Sequence, residues 1–437
     1  MNQTRAVVAA SIGNMLEWYD FTVYALFASY IANSFFSSGD PVTNKIKAYL
    51  AFGFGFVARP LGALLIGNYG DRVGRKAALT LTILLMALGT GLIGFSPSYT
   101  VIGIGAPVLL LLGRVIQGFS VGGEVGSTTA FLLESADPKQ RGVIVSWLEA
   151  SMGMSNILGA LAAFAVTSLL TSAEVQDWGW RIPFIAGLII LPVGLFLRRS
   201  LEETVDFRAE ALRRKAEPPG SSPAARRPWL DVFTHHGRTL GVGFGVAVLW
   251  AVAVYVLIIF FPVYVQSADT YHFSAHQAFG ASLIANVAFV ISCVLCGSLS
   301  DRIGRRRMLF ISACLLFISV LPLFMVLRAI PSTGTLILVQ SLFCILVASF
   351  VGVAPAGLSE IFPVAVRATG MSLVYNGAFT LFGGFAPAIL TWFKAQPGGS
   401  TYAPAWYVMA AALVAMCAIP LLPAAPIATT RVPDAIA

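Results

Sequence analysis

Two carboxylates, Glu17 and Asp20, stand one helical turn apart in an apolar segment near the start of the chain. The segment is long and lacks the small-residue cleavage site of a signal peptide, so the sequence predicts a helix that stays in a membrane. Two acids this close repel each other, so we expect at least one of them to be protonated or paired. Ionisable residues inside a membrane are functional candidates. We expect the pair to exchange protons; a structural hydrogen bond to a neighbouring helix is the alternative.

Within this pair, Asp20 is the predicted proton carrier, because it lies among the aromatic residues Trp18, Tyr19 and Phe21. Glu17 is its predicted modulator. Glu124, which follows a run of glycines in a later apolar segment, is the reserve candidate. A group with this role binds a proton on one side of the membrane and releases it on the other.

Two arginines in apolar segments, Arg59 and Arg114, are the candidate anion-binding residues. Arg114 lies about nine residues from the outer end of its segment, which at ~1.5 Å per residue is roughly mid-membrane. The planar guanidinium group matches a carboxylate, and Gln117 lies beside Arg114 at i+3. We therefore predict that Arg59, Arg114 and Gln117 bind a substrate. The alternative is an internal salt bridge with one of the acids Glu17, Asp20 or Glu124.

Uncharged polar residues complete the predicted substrate site. Asn14 and Tyr24 share a helical face with Glu17. The second half of the sequence places no charged residue at mid-membrane depth, and Tyr375 and Asn376 are its candidate contacts. For a lone Asn or Tyr in a membrane helix, a hydrogen bond between helices is the alternative. We expect the first half to supply charge and the second half to supply shape and hydrogen bonds.

A charged motif occurs twice and indicates that the chain consists of two related halves. The copies are Gly67–Lys76 and Gly297–Arg306; both read G-x3-D-R-x-G-R followed by a base, and they lie 230 residues apart. Each copy falls between two apolar segments, where cations remain at the cytoplasmic face. We predict that the motifs form a cytoplasmic gate from Asp71, Arg72, Arg75, Asp301, Arg302 and Arg305.

A second pair of charged segments repeats at nearly the same distance. Glu134 and Arg141 each precede their counterparts, Glu360 and Arg367, by 226 residues. The agreement of the two offsets supports an internal duplication. We assign these four residues to the same cytoplasmic gate.

The elements that must position these residues are long apolar helices. Hydrophobic residues make up 57% of the chain and charged residues 11%, against about 25% charged in a typical soluble domain, and the mean hydropathy is +0.81. The sequence predicts an all-α membrane protein of twelve transmembrane helices in two pseudo-symmetric six-helix bundles. The predicted helices are 6–34, 46–70, 77–96, 105–133, 143–171, 182–197, 239–266, 277–299, 308–328, 334–359, 368–394 and 403–423.

The positions of the basic residues predict the orientation. With both termini in the cytoplasm, 21 of the 28 Lys and Arg residues fall on cytoplasmic segments and 5 on external ones, and the other two are Arg59 and Arg114. The predicted domains are an N-terminal bundle at 1–197, a cytoplasmic linker at 198–238, and a C-terminal bundle with a short tail at 239–437. Because the net charge of +8 lies mainly on these loops, nucleic-acid binding is not expected.

Several other function classes lack their sequence signatures. The pair Cys293 and Cys296 has metal or redox spacing, but neither a second pair nor a histidine accompanies it, so small core residues are the better interpretation. The chain has no Walker-type phosphate loop. The glycines at 241–245 lie in an apolar helix and are not a dinucleotide loop. We therefore expect no metal, no cofactor, no ATP hydrolysis and no enzymatic activity.

The repeated loops resemble those of the major facilitator superfamily, and further segments resemble its metabolite:proton symporter family, which includes α-ketoglutarate, citrate, shikimate and proline/betaine carriers. The matching segments are Gly13–Phe21, Phe56–Gly62, Gly113–Glu124, Trp178–Phe184 and Leu197–Thr204. The resemblance implies a twelve-helix fold, a central cavity between two bundles, location in the cell inner membrane, and transport driven by the proton gradient.

On this resemblance we expect a proton-coupled secondary transporter that imports a small organic carboxylate by alternating access. Its partners would be the organic anion, protons and the lipid bilayer, and the protein would be monomeric. The alternatives are uptake of a zwitterionic osmolyte, such as proline or a betaine, and a membrane sensor that does not transport.

Overall fold

The computed structural model describes residues 3–37, 39–73, 75–122, 124–188, 228–267 and 271–422, and within these every regular element is helical. We number the membrane-spanning helices α1 to α12. In the first half they are α1 (Gln3–Leu26, Ala28–Phe35), α2 (Pro41–Val57, Arg59–Val73), α3 (Arg75–Gly94), α4 (Gly105–Val121, Glu124–Ser135), α5 (Arg141–Leu169) and α6 (described at 182–188).

In the second half the same order of elements returns. The helices are α7 (Gly237–Ala253, Val254–Phe260, Phe261–Tyr264), α8 (Ala275–Ile303), α9 (Arg305–Ala329), α10 (Thr333–Val351, Ala354–Glu360), α11 (Arg367–Ala378, Phe379–Gly384, Ala386–Ala395) and α12 (Ala403–Ala418, Ile419–Leu421). Shorter helices at Tyr99–Ile102, Ser172–Asp177 and Pro228–His235 precede α4, α6 and α7.

Within the described residues the predicted helices were placed correctly along the chain, but their ends and interruptions were not all foreseen. The part of the predicted sixth helix after residue 188 and the predicted linker up to residue 227 lie outside the described residues. The start predicted at residue 46 was wrong, because α2 begins at Pro41. There the Asp40 carboxylate accepts hydrogen bonds from the backbone N–H groups of Val42 and Thr43 and so caps the helix. Of the described helical stretches, nine are long and apolar enough to span a bilayer, and Thr80–Gly94 is a shorter apolar one.

Wider helical turns occur twice in the second half, in α7 and in α11. The segments Val254–Phe260 and Phe379–Gly384 are π-helical, and each is followed closely by a proline, Pro262 or Pro387. A proline clashes with the carbonyl group four residues earlier, which here belongs to the π segment. Turns of this kind are frequent at functional sites.

Helix pairs repeat between the halves. In the first half α1 packs on α5, and α4 packs on both α2 and α3; in the second half α7 packs on α11, and α10 packs on both α8 and α9. Between the halves, α5 packs along α8 and α2 packs on α11. These two contacts are equivalent under the repeat, so the central space is bordered by matching helices from each half.

Candidate functional site

Two arginine side chains, Arg59 and Arg114, are enclosed between the helices with 0% of their surface exposed. Their guanidinium carbons lie 4.9 and 4.7 Å from the centre of the same Phe21 ring. None of the three guanidinium nitrogens of Arg59 hydrogen-bonds to a described residue, and the same holds for Nε and Nη2 of Arg114. Unused donors in a planar guanidinium group suit a planar anion such as a carboxylate.

Aromatic rings surround the two guanidinium groups. Phe56 lies 4.1 Å from the guanidinium carbon of Arg59, and Phe52 lies 4.9 Å from that of Arg114, measured to the ring centres. Tyr255, in the π segment of α7, packs against Phe52 and Phe56 with ring centres 5.9 and 5.4 Å apart. The second half therefore contributes Tyr255 to the aromatic enclosure of the arginines. Faces of such aromatic rings attract cations.

Direct backbone packing of α2 against α4 brings the two arginines together. Gly118 and Gly122 of α4 face the carbonyl groups of Gly55 and Arg59, and a Cβ atom at either α4 glycine would overlap those carbonyl oxygens. Glycine at both positions lets the helices approach at this distance. The two arginines thus extend from two helices that are held backbone to backbone.

A chain of hydrogen bonds joins Arg114 to Asp20. Nη1 of Arg114 donates to Oε1 of Gln117 at 2.7 Å, and Nε2 of Gln117 donates to Oγ1 of Thr90 at 2.9 Å. The hydroxyl group of Thr90 donates to Oδ2 of Asp20 in a short contact. All four side chains are buried. The structure therefore links a predicted substrate residue to the predicted proton carrier, through a threonine that the sequence analysis missed.

Asn14 and Tyr24 of α1 hydrogen-bond to neighbouring helices. The Asn14 amide donates to the Leu148 carbonyl oxygen and to a serine hydroxyl of α5, each at 2.9 Å. The Tyr24 hydroxyl donates to the Ala48 carbonyl oxygen at 2.9 Å, while its ring centre lies 4.3 Å from the guanidinium carbon of Arg114. In this conformation Asn14 joins two helices, and Tyr24 lines the arginine site.

The two predicted contacts from α11 are buried at the interface between the halves. The Asn376 amide donates to the Gly122 carbonyl oxygen at 2.9 Å. The Tyr375 ring stacks on Phe379 with ring centres 3.9 Å apart and lies 5.1 Å from Trp250. In this conformation, Asn376 connects the halves next to the arginines, and Tyr375 belongs to the aromatic enclosure.

The other two acids predicted to take part in proton transfer, the modulator Glu17 and the reserve candidate Glu124, occupy different surroundings. Glu17 is buried on α1, whereas Glu124 begins the second segment of α4 and is partly exposed. Among the described residues Arg114 forms no direct ion pair with a carboxylate; its connection to Asp20 runs through Gln117 and Thr90. This arrangement differs from the internal salt bridge that was the alternative for Arg114.

Charged residues of the two halves meet at the end of the bundle that carries the repeated motif, hereafter the motif end. The Asp301 carboxylate accepts hydrogen bonds from the backbone N–H groups of Gly142 and Val143 at 2.9 and 3.0 Å. These N–H groups belong to the first turn of α5, and the N-terminus of a helix stabilises an anion. Arg305 donates to Asp301 at 2.7 Å and lies 3.6 Å from Glu360.

A second ion pair crosses between the halves at the motif end. Nη1 of Arg367 lies 2.8 Å from Oε1 of Glu134, and Nε of Arg367 donates to the Ser359 carbonyl oxygen at 3.2 Å. Arg141 begins α5 beside this cluster, and Arg302 is exposed. The remaining gate residues of the prediction have side chains outside the described part of the structure: Asp71, Arg72 and Arg75.

The arginine site is closed at both ends of the bundle. At the motif end the ion pairs and helix-start contacts join the halves. At the opposite end Phe27 packs on Phe279 and Tyr49 on Phe260, with ring centres 6.2 and 5.7 Å apart. The structure therefore shows the site enclosed between two layers of contacts, each of which joins the halves.

Comparison with known proteins places these features in a family context. The Major Facilitator Superfamily model matches residues 10–326. The chain is 34% identical over 417 residues to a citrate-proton symporter of Salmonella typhi, covering 95% of this chain and 93% of that one. It is 32% identical over 417 residues to the proline/betaine transporter of Escherichia coli K12, covering 94% and 82%.

Among solved structures, the xylose transporter XylE from E. coli, in a partially occluded inward-open conformation, aligns with a TM-score of 0.76. The sequence identity is 19%, and the alignment covers 98% of this chain and 99% of that one. This likeness confirms the predicted all-α, twelve-helix fold.

Proposed function

The chain belongs to the major facilitator superfamily, and we propose that it imports a small organic carboxylate together with protons. The superfamily consists of membrane transporters, so the protein is a transporter and not an enzyme. The proton gradient would supply the energy, without a bound cofactor. Asp20 would carry the proton, modulated by Glu17, with Glu124 in reserve. Arg59 and Arg114 would bind the substrate with the help of Gln117.

The observation that carries this proposal is the pair of enclosed arginines. Together Arg59 and Arg114 present five guanidinium nitrogens that have no hydrogen-bond partner among the described residues. A buried donor left without a partner costs about 1–3 kcal/mol, and more when it is charged. A carboxylate between the two guanidinium groups would remove that cost. Both groups lie against Phe21, so one substrate with two carboxylates could reach both.

A zwitterion such as proline or a betaine is the second candidate. Aromatic ring faces bind quaternary ammonium groups, and Phe52, Phe56 and Tyr255 supply such faces next to the arginines. One relative is named as a proline/betaine transporter. A zwitterion would place its carboxylate on an arginine and its cationic group among the rings.

The location follows from the same proposal. We place the protein in the cell inner membrane with both termini and the motif end in the cytoplasm, as the distribution of Lys and Arg indicates. Residues 1–197 and 239–437 would move against each other, and 198–238 would connect them. The motif-end contacts would then form the cytoplasmic gate. We propose that one chain suffices, with the organic anion, protons and the lipid bilayer as its partners.

Counterflow in proteoliposomes tests the substrate class. Citrate, α-ketoglutarate, shikimate, proline and glycine betaine are offered to vesicles loaded with each compound in turn. We expect exchange of at least one organic acid, and Arg114→Lys should raise its KM about 10- to 150-fold, the equivalent of a charged hydrogen bond of ~1.5–3 kcal/mol. Arg328→Lys is the matched control, because Arg328 also faces a ring, that of Tyr402, but away from the site.

The outcomes separate the candidates. Exchange of proline or betaine without any of the acids would replace the carboxylate proposal with the zwitterion alternative. An unchanged KM for the acid in Arg114→Lys would assign Arg114 a structural role. Absence of exchange with every compound would contradict both transport proposals for these substrates.

A further inference from the structure

The hydrogen bonds between Arg114 and Asp20 all point in one direction. A guanidinium group can only donate, so the Gln117 amide must present its oxygen to Arg114 and its nitrogen to Thr90. The Thr90 oxygen therefore accepts from Gln117, and its own proton remains available for the Asp20 carboxylate. Every donor is on the side of the cation and every acceptor is on the side of the anion. Hydrogen bonds aligned in this way strengthen one another.

The Thr90 hydroxyl has two acceptors within reach but only one proton. Its oxygen lies 2.9 Å from the Met86 carbonyl oxygen and also contacts Oδ2 of Asp20. When Asp20 is ionised, the hydroxyl proton points to the carboxylate. When Asp20 carries a proton, Asp20 becomes the donor to the threonine oxygen, and the hydroxyl proton turns to Met86. The oxygen has two lone pairs, so Gln117 keeps its bond in both states.

We propose that Thr90 is a positioning residue that couples proton binding at Asp20 to carboxylate binding at Arg114; this inference rests on the proposed function. With Asp20 ionised, the aligned chain strengthens the hold of Gln117 on Nη1 of Arg114. Protonation removes the negative end of the chain and weakens that hold, which frees the guanidinium group to turn towards a substrate carboxylate. Proton and substrate therefore favour each other's binding, and this coupling is reciprocal.

Apart from Arg114, the charged side chains buried on α1 and on helices packed against it are Glu17, Arg59 and Glu149. The tyrosines buried on these helices are Tyr19, Tyr24, Tyr49, Tyr255 and Tyr264. None of these groups is a member of the chain. Within the described residues 182–188 of α6, Gly187 is next to Asp20: a Cβ atom there would lie 3.1 Å from Oδ1 of the carboxylate. Replacing Thr90 leaves all of these in place, so a changed pH response of a Thr90 variant reports on the chain itself.

The experiment compares Thr90→Val, which keeps the shape but removes the hydroxyl, with Thr90→Ser, which retains it. The control is Thr129→Val, because the Thr129 hydroxyl is equally buried but donates only to the Val125 carbonyl oxygen of its own helix at 2.7 Å. The measurement is the KM for counterflow of whichever acid among citrate, α-ketoglutarate and shikimate exchanges fastest. It is made without a gradient at about pH 6 and about pH 8, and we expect the wild-type KM to be at least about fivefold higher at the higher pH.

We expect this KM ratio to fall towards one in Thr90→Val and to keep its wild-type value in Thr90→Ser and Thr129→Val. A wild-type ratio in Thr90→Val would overturn the inference while leaving the transport proposal intact. If Thr90→Val does not reach the membrane, Thr90→Ala gives the same test with the same two outcomes. Failure of the wild-type protein to exchange any of the acids would instead count against the proposed carboxylate transport.

Discussion

Removing the negative charge of Asp301 should open the motif end. The carboxylate accepts one backbone N–H from Gly142 and one from Val143 in the opposite half. The two N–H groups are accepted by different carboxylate oxygens; in the same geometry Asp301→Asn replaces one of these acceptors with an NH2 group that faces a donor. One hydrogen bond to a charged group contributes about 1.5–3 kcal/mol. The ratio of open to closed molecules at this end should therefore rise about 10- to 150-fold.

Double electron–electron resonance, which measures the distance between two spin labels, would detect this change. Spin labels are placed at Lys139→Cys and Arg307→Cys, two exposed positions on opposite halves at the motif end, in a background without the native cysteines. Asp301→Asn should enlarge the population with the longer distance.

The matched control for this measurement is Asp40→Asn. Asp40 also accepts from two backbone N–H groups at a helix start, but it does so within the first half and at the opposite end. Hydrogen bonds from the Thr43 hydroxyl and from the Thr43 and Val42 backbone hold the pKa of Asp40 below its usual range. An Asp301→Asn distance distribution identical to that of the parent would refute the gate argument.

Two further substitutions test the proton carrier and the packing of the arginine helices. Asp20→Asn should abolish accumulation driven by a pH gradient but spare substrate exchange, because an amide cannot bind and release the proton; if the variant still concentrates substrate, the proton site lies elsewhere and Glu124 is tested next. Gly122→Ala should lower the free energy of unfolding by about 1–3 kcal/mol, as overpacking does, and should reduce substrate binding, since its Cβ atom would overlap the Arg59 carbonyl oxygen. Gly91→Ala in α3 has open space around its Cβ atom, and equal thermal stability of the two variants in detergent would contradict the packing argument.

The sequence predicted those features that repeat or that stand out against an apolar background. The repeated motif identified Asp301 and Arg305, and the second repeat identified Glu134 and Arg367, and the structure brings these residues together at one end. Arg114 was recognisable because a charge in a membrane helix requires a partner or a function. Helix positions followed from hydropathy, which depends only on neighbours along the chain.

Features that depend on packing between distant segments had no signal in the sequence. Thr90 meets Asp20 across 70 residues of chain, and a single threonine in an apolar helix follows no periodic pattern. The contact of the Phe21 ring with both guanidinium groups depends on how α1, α2 and α4 pack. Some breaks within helices lie close to prolines such as Pro262, and hydropathy does not register them. The first copy of the gate motif lies among residues whose side chains are not described, so its role stays a prediction.

The glycine contacts between α2 and α4 fix the distance between the backbone positions that carry the two arginines. Because Gly118 and Gly122 leave no space between the two backbones, the backbones at Arg59 and Arg114 cannot separate without pulling those helices apart. The distance between these two backbone positions should therefore stay constant while the halves tilt against each other. The same distance would select the length of a substrate with two carboxylates at every stage of the cycle. The substrate would stay bound to the first half while its contacts to the second half change.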